Sequence, residues 1–158
     1  MHPSPAPPSL TTTHPPQPPK MITGIHHINL VVPASSFPAA TAFYGTTLGL
    51  TAVPVPQLQR DSLLWFNVGA SGQQVHIAQG KAEDFAAPSS RHVCFKVESA
   101  ALLVRLKEQV WRHFEAGGEG APREADRPGE GSSGAQGVEY PMRFFARDYA
   151  GNRLEFSL

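Results

Sequence analysis

"MRFFARDYAGNRLEF", Met142–Phe156, reads as two short strands around a turn at Asp148–Asn152. On both sides of the turn apolar residues alternate with others, the period expected where neighbouring side chains face opposite ways. The same layout occurs 79 residues earlier (155 − 76) in "LLWFNVGASGQQVHI", Leu63–Ile77. There Gly72 falls on Gly151 and His76 falls on Glu155. Two hairpins of one design suggest a duplicated unit, and the segments upstream of each extend the repeat.

"GIHHINLVV", Gly24–Val32, places Ile28, Leu30 and Val32 on one strand face and His27, Asn29 and Val31 on the other. "HVCFKV", His92–Val97, places Val93, Phe95 and Val97 opposite His92, Cys94 and Lys96. Each strand leads to a helical pattern. In "SSFPAATAFYGTTLGL" Ser36 is a candidate N-cap, Pro38 suits the first turn and Gly49 suits the exit, which predicts a helix over about 37–48. In "SAALLVRLKEQVWRHF" Ser99 is the N-cap, and Leu103, Leu106, Val110 and Phe114 recur at helical spacing. A weaker strand at 51–56, with Pro54 and Pro56, belongs at a sheet edge. His27 thus falls on His92, 65 residues apart (92 − 27). The two offsets differ by 14 (79 − 65), a length that the polar, Gly-rich stretch 117–137 can absorb as a mobile loop.

The expected fold is therefore α+β: duplicated βαβββ modules, about 21–80 and 90–158, forming an open, cupped β-barrel with helices on its outer face. Residues 1–20, "MHPSPAPPSLTTTHPPQPPK", have almost nothing to bury and are expected to be a disordered Pro-rich tail in which His2 and His14 have no role. A helix covers the apolar face of the strand before it, so His27, His92, His76 and Glu155 are expected on the opposite, concave face. His26 points to the helix side and needs no function.

Three imidazoles and a carboxylate suit a divalent transition metal, whether Zn, Fe, Mn, Ni or Co, and argue against Mg or Ca. A narrower set is His27, His92 and Glu155, with His76 as a fourth ligand or as a partner that orients the others. Each of these residues alone is better explained as an ordinary strand residue; four at repeat-equivalent positions on one face are not.

The totals bound the partners. The 158 residues carry 13 Lys and Arg against 13 Asp and Glu, so charge offers no argument for nucleic acid or an anionic membrane. No apolar run is long enough to span a bilayer, and Cys94, the only cysteine, fits a reducing compartment. The tail has neither the arginines of a transit peptide nor the apolar core of a secretory signal. A cytoplasmic protein with a small-molecule substrate is the expectation.

"HHINLVV", "FYGTTLGL", "RHVCFKV" and "FFARDYAGNRLEF" together resemble the vicinal oxygen chelate superfamily, which includes glyoxalase I, extradiol dioxygenases and fosfomycin and bleomycin resistance proteins. The likeness spreads over residues 22–158. Its most specific part is the Asp-x-x-Gly-Asn turn before the ligand strand, where Tyr149 replaces the usual proline. By position, the resemblance implies metal ligands at His27, His76, His92 and Glu155. His76 stands where glyoxalase I relatives have Glu, which argues against that one activity. The resemblance implies a small glyoxalase-like metalloenzyme of lyase or isomerase type, with Glu155 as proton shuttle and vicinal oxygens in the substrate. The rival readings are an Fe(II) extradiol-type dioxygenase and a resistance-like protein that binds without catalysis. Tyr44 is expected in the helix core, and His113 in a structural role near a helix end. Arg153 faces the same way as Glu155 and reads either as an anion contact or as a surface arginine. Unpaired strand edges and the superfamily's habit suggest a homodimer, with modules pairing within or between chains.

Overall fold

A computed structural model describes residues 24–135 and 137–158; the Pro-rich tail lies outside them. The repeat inferred from two hairpins is realised strand by strand. β1 (His27–Val32), β2 (Thr51–Val53), β3 (Leu63–Asn67) and β4 (Gln74–Gln79) form one sheet in the order β1-β4-β3-β2. β5 (His92–Lys96), β6 (Glu124–Ala125), β7 (Arg143–Arg147) and β8 (Arg153–Ser157) form a second in the order β5-β8-β7-β6. In each sheet the first strand pairs in parallel with the fourth, and the other pairs are antiparallel. The registers also agree: His27 lies opposite Gln74 as His92 lies opposite Arg153. The fold is α+β, with two sheets that stay separate among the described residues, so the cup is open along β1 and β5.

The turn glycines explain why the hairpins superpose. Gly72 and Gly151 have φ of +74° and +97°, a region that side chains with a Cβ rarely enter. Each lets its chain reverse at the same point relative to the strand that follows.

The first helix starts as α1 (Phe37–Ala40) and continues as a π-helical segment, Thr41–Thr47. Its wider turn is visible in the Leu48 N–H bond to the Phe43 carbonyl, five residues back. Widening brings the consecutive residues Phe43 and Tyr44 both into the core. Ser36 does not cap it through its side chain; its hydroxyl donates instead to the Pro33 carbonyl at 2.6 Å. α2 (Ala100–Ala116) is capped as the sequence predicts, with the Leu102 amide donating to Ser99 Oγ. Within the stretch 117–137 the chain is more ordered in its bonding than a plain loop. Glu124–Ala125 pairs with β7, and the Asp126 carboxylate accepts the Ser133 and Phe145 amides.

One apolar cluster serves both modules. Val32, Phe43, Phe66, Val75 and Ile77 from the first meet Leu103, Val110, Phe144, Leu154 and Phe156 from the second. The modules are also joined by a polar clasp. Asp148, fully buried, accepts the Tyr44 hydroxyl at 2.7 Å, the Ala150 and Asn152 amides, and the Asn152 side-chain amide. Asn152 donates its other side-chain bond to the Val31 carbonyl, across to β1. Burial raises the Asp148 pKa while those four donors oppose the rise, and burial beside this carboxylate pushes the Tyr44 phenol well above its usual range. Tyr149, in the place of the resembled proline, sends its hydroxyl to the Ser36 carbonyl at 3.2 Å and so adds a second tie between the modules.

Tyr44→Phe is expected to cost about 2 kcal/mol, the worth of a buried hydrogen bond to a charged group. Asp148→Ala strands four donors at once and should cost on the order of 4 kcal/mol. Urea unfolding of the two variants checks both the order and the size.

Candidate functional site

Strand alternation places the chemistry on the face away from the helices. In the first sheet, His27, Asn29, Trp65, Gln74, His76 and Asn67 share that face, since Trp65 lies opposite His76 and His76 opposite Asn29. In the second, His92, Cys94, Arg143, Phe145, Arg153 and Glu155 share it, with Cys94 opposite Glu155 and Glu155 opposite Phe145. Their neighbours Phe66, Val75, Ile77, Phe144, Leu154 and Phe156 are buried on the other side. Of each aromatic pair on β3 and β7, Trp65 and Phe145 face the open side and Phe66 and Phe144 the core.

The four candidate ligands come together as two pairs. On the second sheet His92 Nε2 lies 2.8 Å from Glu155 Oε2. The other ring nitrogen, Nδ1, faces the Ser90 carbonyl at 3.0 Å, which can only accept. A backbone acceptor on Nδ1 holds the ring and turns Nε2 into the site, as outer partners of ligating histidines commonly do. Glu155 is 8 % exposed, and its second oxygen takes Arg143 Nη1 at 3.1 Å. Arg143 also donates to the Ala135 carbonyl and lies over the Tyr140 and Phe145 rings; its Nε is buried without a partner. Nothing in the sequence pattern singled out Arg143, because an arginine at a strand start reads as surface until the loop before it folds over.

On the first sheet the pair is a ring stack. His27 lies face to face with His76 at 4.1 Å between centroids, and His76 lies on Trp65 at 4.4 Å. His76 Nε2 is bonded to Gln74 Oε1 at 2.9 Å, and Gln74 donates in turn to Asn67 Oδ1. His26, expected to be a bystander, sets its Nδ1 3.3 Å from that of His27.

The donor set fits a divalent transition metal by its chemistry, imidazole nitrogen and carboxylate oxygen. Within one chain it exists as two half-sets: among the described residues no three His, Cys, Asp or Glu side chains gather around one point. Between the half-sets runs a cleft bounded by β1 and β5, with His27, Ile28 and Gln74 on one side and Val93, Cys94 and Lys96 on the other. Cys94 is exposed as a residue, yet partial desolvation of its thiol, reinforced by the charge of Glu155, raises its pKa.

The remaining candidates have plain assignments. Arg153 lies 4.5 Å over the Phe145 ring, whereas Arg147 is tied to Glu124 and two backbone carbonyls. His113 bonds Thr47 Oγ1 at 2.7 Å and the Glu119 carbonyl, the structural role its place near the end of α2 suggests.

Burial lowers the His76 pKa, and the neighbouring His27 and His26 lower it further. A depressed folded-state value means that the native state takes up its proton later than the unfolded chain. Stability contributed above the ordinary value of 6.5 is therefore lost as pH falls from there through the lowered value. In chelator, the urea midpoint should drop between pH 7.5 and 5.5, and His76→Phe should shrink that drop.

No protein-family model and no curated protein matches the chain. Solved structures do. A protein assigned to the glyoxalase family in Bacillus anthracis has 25 % identity and a TM-score of 0.62, over 87 % of this chain and 95 % of its own. The fosfomycin resistance protein FosX from Listeria monocytogenes has 18 % identity and a TM-score of 0.60, over 87 % and 91 % of the two chains. FosX from Mesorhizobium loti has 21 % identity and a TM-score of 0.57, over 87 % and 92 %. A variant of the Listeria protein was crystallised with Mn(II) and 1S,2S-dihydroxypropylphosphonic acid. With its repeat, strand order and register, the chain has the vicinal oxygen chelate fold that these glyoxalase-family and FosX proteins share.

Proposed function

We propose that this protein is a metal-dependent, glyoxalase-like enzyme of lyase or isomerase type, acting on a small substrate with adjacent oxygens. The observation that carries this reading is positional: His27 and His92 are register-equivalent, as are His76 and Glu155, and all four face the side without helices. The Mn(II) in a FosX relative of the same fold supports a divalent metal. His27, His92 and Glu155 would hold it, with His27 supplied by one copy of the chain and His92 with Glu155 by a second. The separation of the half-sets and the unpaired outer edges of β1 and β5 support that division. A divalent ion there would supply Lewis-acid polarisation of the substrate's two oxygens.

The chain's own residues do the rest. Glu155 is the group that takes and returns a proton at Oε2, while Arg143 grips Oε1 and fixes the carboxylate plane. The Ser90 carbonyl keeps His92 oriented through Nδ1. Arg153, with its guanidinium 4.5 Å over the Phe145 ring and on the same face as Glu155, receives an anionic part of the substrate. A second reading, small-molecule binding without a metal, draws support from the two bonds that already occupy both Glu155 oxygens.

Metal analysis of protein purified without chelator decides between them. The expected result is about one transition-metal equivalent per chain, lost in His27→Ala, His92→Ala and Glu155→Ala. Full retention in all three variants would sink the metal site. Refolding His27→Ala together with Glu155→Ala should regain about a quarter of the sites if two copies share each one, and none if a single chain builds it.

A further inference from the structure

His76 occupies the repeat position of Glu155, yet its surroundings differ in kind. Glu155 meets His92 edge-on, oxygen to nitrogen, whereas His76 meets His27 face to face. The two imidazole planes are within 11° of parallel, with their ring centroids 4.1 Å apart. A ring nitrogen's lone pair lies in the plane of its ring, and a metal sits about 2 Å from each nitrogen along that lone pair. Two nearly parallel planes at this spacing share no such point, so an ion in the plane of one ring stands well out of the plane of the other.

The nitrogen of His76 remote from the backbone is also occupied. Nε2 is bonded to Gln74, whose amide is bonded to Asn67; whichever way those amides are turned, Nε2 remains engaged. Trp65 covers the opposite face of the ring at 5° and 4.4 Å, and His76 is 8 % exposed. The ring is therefore clamped on both faces and at one edge. His27 is the outer member of the stack, exposed, with Nδ1 turned to His26.

We infer that His76 is a positioning residue and not a metal donor: with Trp65 below it and Gln74 at its edge, it is a rigid platform that sets the ring plane of His27. This rests on His27 being a ligand, as proposed above, and it removes His76 from the donor set. A planar platform needs aromatic area and not a nitrogen, so phenylalanine should replace His76 where alanine cannot.

The test uses the full chain, freed of metal and titrated with Co(II) alone, with folding of each variant checked by circular dichroism. Affinity should fall at least 100-fold in His27→Ala and about 10-fold in His76→Ala and Trp65→Leu, the scale of losing a ligand's supporting partner. His76→Phe should stay within about 3-fold of the parent, with an unchanged Co(II) visible spectrum. A His76→Phe variant as weak as His27→Ala, or one whose spectrum reports a lost nitrogen ligand, overturns the inference. If the parent binds no Co(II), the proposed metal site fails and the platform is judged on metal-free protein by NMR. His27 ring protons should then be shifted upfield by the stack, a shift kept in His76→Phe and lost in His76→Ala; its absence in the parent would refute the platform.

Discussion

The buried Asp148 carboxylate is the constraint on which the rest of this structure depends. A carboxylate without solvent is tolerated only where donors replace the lost water, and Asp148 has four. Three come from its own turn, and the two backbone amides among them define the shape of the β7–β8 hairpin. The Tyr44 hydroxyl comes from the first module's helix, and Asn152, bonded to both Asp148 and Val31, carries the tie on to β1. One charged group thus sets a local turn and the placement of one module against the other.

That placement has consequences for the open faces. Because the clasp and the shared apolar core lie on the helix side, the two polar faces are left to their own contacts. On the second sheet the result is a charged knot, His92–Glu155–Arg143, fastened to backbone carbonyls at both ends. On the first it is an aromatic stack of Trp65, His76 and His27, with an amide relay at its edge. Equivalent positions have become chemically unlike halves: one orders charge, the other orders a ring plane. A site that uses both draws a carboxylate and a held imidazole from one half and a presented imidazole from the other.

Much of the fold was legible from spacing. The repeat offsets of 65 and 79 residues, from 27 to 92 and from 76 to 155, reappear as identical registers in the two sheets. The edge strand near Pro54, the cap at Ser99 and the buried Tyr44 followed from residue type and period. Less legible were the features set by distant partners. The π-helical segment reflects the packing of Phe43 and Tyr44 together, and β6 exists because Glu124–Ala125 finds β7, where composition alone reads as loop. Ser36 as a capping side chain lost to the nearer Pro33 carbonyl.

For the site, alternation along each strand determined which residues face the open side, because a period of two leaves a side chain no third choice. His27, His76, His92 and Glu155 were therefore identifiable together from the sequence by itself. What each does there depends on neighbours from other strands and loops, and no strand period specifies those. The parallel rings of His76 and His27, the Arg143 bond to Glu155 and the separation of the donors into two half-sets were decided by the tertiary structure. The physical reason is that the direction of a lone pair or a guanidinium is set by contacts across the sheet, where residues far apart in the chain become adjacent.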